Sequence, residues 1–506
     1  MLNIRSFSFF IALSLCTTIS FAQVKTIKRI EFELKEGYSN HQFSKFGDNG
    51  IILFSKFDET IGDNSRWKIE RYSTDLELSK TETVNIPRGQ RLNETFENES
   101  HLFLFFKSKK GDYSIVKIEA KTLMIETKKG ILPKKMWPRE FKIIDNTAFI
   151  TGRVKKESIV FTVNLENGEN NLRPISVKGF KSSKLNIENV QIQEKSKELF
   201  VYINAFVKKE HDVHVVRYDN NGEKQESFNL TSDIDQKLTS ISASYISDVE
   251  YVYTGTYSDK SSSSSKGVYI CKTKNGEKEF ISFYKFLDFK EFLSYLPEKK
   301  QAKIEKKKKK KEKKGKELKL SYLIASHDII VTEDKYIFIG EAFYPTYRTE
   351  TYYTTDANGR TVAHTRTVFD GYQYTHATIA AFDKKGNKIW DQTFKMYPNY
   401  KPFYAKKFIS VSTEKDNIDM LFSSRSGVHA MSFSRDGKIM NEKSYDIIET
   451  GDENDKIKSS YTNMDYWYGE YFLTHGYQKI KNKENKKQKG QKKKRKIYFI
   501  NKLSYE

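Results

Sequence analysis

Short, largely apolar runs recur along this 506-residue chain at a nearly constant interval. They begin at Ile51 (IILFS), Leu102 (LFLFF), Ala148 (AFITG), Leu199 (LFVYI), Tyr251 (YVYTG), Tyr336 (YIFIG), Asp419 (DMLFS) and Tyr471 (YFLTH). Runs of this length, rich in β-branched and aromatic residues, predict strands buried on both faces. Each run is followed by an alternating strand and then a tight turn, as at Asn167-Gly168, Asn221-Gly222, Asn275-Gly276, Lys385-Gly386 and Asp436-Gly437. Asn, Asp and Gly tolerate the positive φ that short hairpins require. Five of the seven intervals lie near 50 residues, and the other two, 85 and 83, hold insertions. The first insertion, 286–320, is expected to start as an amphipathic helix, with Phe286, Phe289, Leu293 and Leu296 at helical spacing and Pro297 ending it; a lysine run follows. The second, 344–375, reads as a long projecting hairpin. Thr349, Thr351 and Tyr353 alternate with Glu350 and Tyr352, Asp356-Ala357-Asn358-Gly359 supplies the turn, and a strand returns from Thr361 to Val368.

A unit of about 50 residues with four short strands is the signature of a propeller blade. Eight units give about eight four-stranded blades, with seven as the alternative count, in one all-β domain over 23–506. An open solenoid or two sandwiches would copy parts of the pattern but not its complementary ends. The last unit stops after its third strand, near 497–503, whereas Ile30, Phe32 and Leu34 alternate with Arg29, Glu31 and Glu33 in an orphan N-terminal strand. Pairing the two closes the ring and removes its exposed edges. The chain resembles the β-propeller class over this whole span, and looks like the large uncharacterised secreted propellers of bacteria. The stretch AAFDKKGNKIW at 380–390 is similar to the repeat of pyrroloquinoline-quinone-type propellers, in which the Gly and Trp recur in most blades. Here Trp67, Trp137 and Trp467 sit elsewhere in their units. The resemblance therefore implies architecture rather than a quinone, and no cofactor is expected.

Residues 1–22 read as a secretory signal peptide, with Arg5, an apolar stretch from Phe7 to Leu15, and small residues at Ser20 and Ala22. The stretch is too short to span a bilayer. Export follows as an expectation, to the periplasm, the outer-membrane surface or the extracellular space. Leu15 before Cys16 argues against lipid attachment, and Cys271, in an apolar run, reads as a buried inert thiol.

Export changes the meaning of a formal charge of +22. The segments 299–320 and 479–496, the second expected to be a lysine-rich loop, each carry +10; the chain outside them and the leader carries +1. Six consecutive lysines, Lys306 to Lys311, repel one another and belong in solvent. No aromatics interleave the lysines, so nucleic-acid stacking has no support. The expected partners are a protein or glycan of the cell envelope and an anionic surface, with no transmembrane segment. The candidate contacts are Lys306, Lys308, Lys310, Lys492, Lys494 and Arg495 for the surface. Tyr347, Tyr352, Tyr353, Tyr372 and Tyr374 of the hairpin suit sugar stacking or a protein partner, unless they pack onto the body of the fold.

Catalytic signatures are missing: there is no Gly-x-Ser-x-Gly, no His-Glu-x-x-His and no phosphate-binding loop. His211 and His214 point to opposite faces of a strand, His327 reads as a structural histidine, and the acidic stretch 452–455 reads as a solvated loop rather than a calcium site. The leading expectation is a non-catalytic binding or scaffold propeller. The alternatives are a polysaccharide hydrolase or lyase with its site at the channel mouth, and a quinone-dependent dehydrogenase.

Overall fold

All eight apolar runs become the second strand of an antiparallel sheet in the computed structural model, which describes residues 24–34, 39–207, 210–232, 234–259, 264–424, 427–448, 450–482 and 494–505. Six sheets have four strands, and in the other two the first strand is split into two pieces, Lys237–Leu238 with Ser242–Ser247 and Leu323–Ser326 with Ile330–Val331. The leader and Lys492 lie outside the described residues. Seven sheets follow one another at 39–87, 91–131, 136–174, 185–229, 237–285, 323–395 and 410–445. The eighth takes Asp455–Tyr468, Tyr471–Asn482 and Lys494–Tyr505 from the end of the chain and Val24–Glu33 from its start. In that sheet Ile30 lies opposite Ile500 and Phe32 opposite Tyr498. The chain is an eight-bladed β-propeller.

Burial on both faces explains the continuous apolar runs. In blade 2, Leu102, Leu104 and Phe106 pack against Trp67 and Ile69 of blade 1, while Phe103 and Phe105 pack against Phe141 and Ile150 of blade 3. The same alternation builds an apolar core at every junction around the ring. The closing junction joins Ile51, Leu53 and Tyr72 of blade 1 to Trp467, Tyr498 and Ile500 of blade 8. Cys271 is buried between blades 4 and 5, where burial pushes its thiol up to about 12.

Two expectations need correction. The only α-helix among the described residues is Glu298–Glu312, so Pro297 precedes a helix rather than ending one. A helix interior has no place for proline, whereas its start does. The lysines then propagate a helix with no buried residue, with Glu298 in the first turn and Lys309 to Lys311 in the last, each complementing the helix dipole. The segment expected to be helical opens with the 3-10 turn Phe286–Asp288. Its buried residues, Phe286, Phe289 and Phe292, recur every third position, the period of that tighter turn. Second, the lysine-rich loop at 479–496 is shorter than expected. The ladder of blade 8 runs out to Lys481 opposite Lys494.

Candidate functional site

Antiparallel order gives the ring two unlike faces. First-to-second and third-to-fourth strand connections emerge on one face, and there none runs longer than the five residues between Asn64–Tyr72 and Leu78–Pro87. Second-to-third connections and those between blades emerge on the other. That face carries the insertion leading into blade 6, the hairpin of blade 6, the long connection 396–409 into blade 7, and the basic ends of Tyr471–Asn482 and Lys494–Tyr505. Every large departure from the repeat therefore lies on one side of the molecule.

The hairpin is formed by the middle strands of blade 6, Lys335–Thr355 and Thr361–Asp383, which run on past the body of the sheet. Beyond Tyr347 both of its faces are solvated, so the projecting part is held by its own cross-strand pairs. One face is ionic: Glu350 accepts from Arg348 at 2.6 Å and Arg366 at 3.0 Å, and Tyr352 stacks on His364 at 5.3 Å. The other is uncharged, with Tyr347 opposite Phe369, Thr349 opposite Thr367, Thr351 opposite Thr365 and Tyr353 opposite Ala363. Tyr347 is 62% exposed and Tyr353 69%. The candidate tyrosines thus divide. Tyr347, Tyr352 and Tyr353 face solvent, whereas Tyr374 is buried between Phe343 and Phe408 and Tyr372 is half-buried against Phe343 and Phe369.

Two flanking connections brace the base of the hairpin. On one side Tyr295 stacks on the buried His376 at 4.1 Å and shares a 3.0 Å hydrogen bond with Tyr322. On the other, Lys401 reaches Asp370 at 2.9 Å, the Tyr372 N–H donates to Pro402, and Phe403 meets the edge of Phe369 at 5.8 Å. Phe403 is 69% and Tyr404 70% exposed, and Tyr461 of blade 8 is also exposed beside Tyr400. These three rings extend the aromatic surface beyond the hairpin. For Phe403 and Tyr404 the sequence signal was the density of rings in this connection, which also holds Tyr397, Tyr400 and Phe408.

The basic candidates also divide. Lys306 and Lys310 are exposed on the helix and Lys308 is half-exposed, and Lys494 is exposed at its strand end. Arg495 is committed within the fold: it donates to Asp455 at 2.5 Å, and Asp455 also accepts from Asn482. Asp455 is thus a buried structural carboxylate, so the acidic stretch is not simply a solvated loop. Among the described residues no group of three His, Cys, Asp or Glu is placed to hold a metal ion. His214 packs against Phe180, and the His211 side chain lies outside the described residues.

Successive blades approach one another largely through their first strands, which ring the centre. The centre is charged. Asp465 accepts from His475 at 2.8 Å and lies 3.6 Å from Lys45. Burial alone would raise its carboxyl, but His475, Lys45 and Lys406 outweigh burial and hold it at about 2. Glu97 keeps contact with solvent, yet the protein around it hydrates it poorly and moves its carboxyl upward, against the pull of Ser44 and Lys45. Burial draws Lys406 down to about 8, opposed by Asp465 and Glu341.

No family model matches the chain, and no curated protein matches it in sequence. Among solved structures it is similar to the β-propeller domain of the trilobed protease from Pyrococcus furiosus, with 10% identity and a TM-score of 0.36 over 80% of this chain and 96% of that one. It is also similar to the Dos1 propeller, with 9% identity and a TM-score of 0.39 over 80% of each chain. A prolyl endopeptidase matches 89% of this chain through 55% of its own, with 9% identity and a TM-score of 0.40. At such identities and scores the likenesses carry no argument about function. No helix among the described residues is long and apolar enough to cross a membrane.

Proposed function

We propose that this propeller is an exported binding or scaffold protein. Its insertion-bearing face recognises a protein or glycan of the cell envelope, and its lysine segments hold it to an anionic surface. The observation that supports this most is the gathering of every insertion on one face, with the exposed tyrosines of the hairpin at its most projecting point. Large, rigid aromatics on a braced element lose little conformational entropy on binding and suit a partner or a sugar face. The exposed lysine helix offers a charge that acts over roughly a Debye length, about 8 Å at physiological salt.

The test is retention of purified protein on envelope preparations across a salt series. Deleting 299–316 and 483–493 is expected to remove the salt-sensitive part of retention, and Tyr347→Ala with Tyr353→Ala to weaken the part that salt leaves. Retention unchanged in both variants refutes the proposal. The opposite displacement of the Glu97 and Asp465 carboxyls supports a second reading, a polysaccharide hydrolase or lyase working at the centre of the ring. Release of new sugar ends from the same preparations, lost in Glu97→Gln, is its readout.

A further inference from the structure

We propose that the cleft between blades 1 and 2 binds an acidic sugar unit, a pyranose bearing one carboxylate. The cleft measures about 570 Å³, within the range of about 300–1,000 Å³ usual for small-ligand sites. Its walls come from Gln90 in the connection between the blades, from the first strand of blade 2, which starts at Arg91, and from Lys56 and Trp67, which lie opposite one another in blade 1; the connection at Gln90 lies on the insertion-bearing face.

Three features point to this ligand. Lys56 and Arg91 line the cleft, and neither has an ion-pair or side-chain hydrogen-bond partner among the described residues. Elsewhere in these two blades, Lys68 is paired with Glu70 and Lys80 with Glu82. Two unpaired cations at one cleft call for an anionic group, and a guanidinium matches a carboxylate in a bidentate fork.

Gln90 supplies the second feature. It is only 8% exposed, and its Oε1 has no hydrogen-bond partner among the described residues. A buried polar atom left unmatched costs about 1–3 kcal/mol. A ligand hydroxyl is the kind of donor that satisfies it. Trp67 is the third. Its indole is held edge-on to Phe106 at 5.1 Å and gives the cleft an apolar wall for a sugar ring.

Glu94 on the same wall narrows the class. Burial and nearby Glu140 shift its carboxyl upward against Lys142, so it accepts or shares a proton with a hydroxyl more readily than a free carboxylate does. It also disfavours a doubly charged group such as phosphate. This site uses none of the hairpin or lysine-helix residues, so its failure and the failure of the proposed function are separable.

The experiment is calorimetric titration of the full exported chain with a galacturonate trimer, a neutral galactose trimer and inorganic phosphate. Saturable binding of the acidic trimer is expected, at least tenfold tighter than the neutral one. Arg91→Ala and Lys56→Met, both at solvent-accessible positions, are each expected to weaken it at least fivefold with thermal unfolding unchanged. Gln90→Leu is expected to lower affinity without lowering stability. Tyr353→Ala is expected to leave binding intact. No saturable binding, equal binding of the neutral trimer, competition by phosphate at equal concentration, or indifference to both cation variants overturns the proposal.

Discussion

Glu341 has no solvent contact, and it keeps its place because two backbone N–H groups and a histidine meet it. The N–H groups of Phe408 and Ile409 donate to its carboxylate at 2.9–3.0 Å, and His327 Nε2 lies 2.8 Å from Oε1. One side chain of blade 6 thereby fixes the entry of the chain into blade 7. Glu341→Ala leaves two buried N–H groups unmatched and is expected to cost about 3 kcal/mol or more in urea unfolding, with Glu341→Gln costing less. His327 was readable in the sequence as a structural histidine, but its partner was not. The partner lies 14 residues on, across a turn, and a carboxylate inside an apolar run gives no sign of what it will meet. The same limit hid Asp465 and Lys45, 420 positions apart, whose proximity depends on closure of the ring.

Among elements, the joint between the first insertion and the hairpin is acid-sensitive by construction. Burial holds the His376 imidazole down from 6.5 to about 3, and its Nε2 has no partner among the described residues. The folded state therefore resists protonation that the unfolded state accepts. The resulting stability is present in full above pH 6.5 and is lost as the pH falls from there toward 3. Urea unfolding at pH 7 and pH 4 is expected to show this loss, and His376→Phe to recover on the order of 2 kcal/mol of it at pH 4. Limited proteolysis within 344–375 at pH 4 reads the same loosening locally. At this scale the sequence was most legible where geometry constrains residue choice. The second strands need apolar residues on both faces, and turns such as Asp383 to Gly386 need a glycine at φ +83° and an Asp side chain that accepts N–H groups from Lys385 and Asn387. Legibility failed in 286–296, where a spacing of three passed for a helical one. It failed again in 396–409, which has no regular period because its rings are divided, Phe403 meeting the hairpin and Phe408 entering the core between blades 6 and 7.

For the molecule as a whole, the ring depends on its eighth blade. Phe32 of Val24–Glu33 lies against His41, Tyr72 and Tyr498, and so ties the closing strand to blades 1 and 8 together. Phe32→Asp is expected to lower the thermal midpoint and to produce concentration-dependent oligomers in light scattering, because a released outer strand exposes the unpaired edge of Lys494–Tyr505. A variant that stays monomeric with an unchanged midpoint would show that the seam contributes little. Ring closure was legible because the two ends lacked complementary parts. The difference between the two faces was not, because it emerges only when strand directions are followed blade by blade. The closing pair also sets an order of events. Arg29 and its hydrogen-bond partner Asn501 are 472 positions apart. For a free chain, joining ends that distant costs about 5 kcal/mol in conformational entropy. Stacked blades carry the last strand back to the first, so most of that cost is met before the pair forms. The seam pairs the first strand with the last, Val24–Glu33 with Lys494–Tyr505, so the ring cannot lock until the final strand of the chain is free to pair.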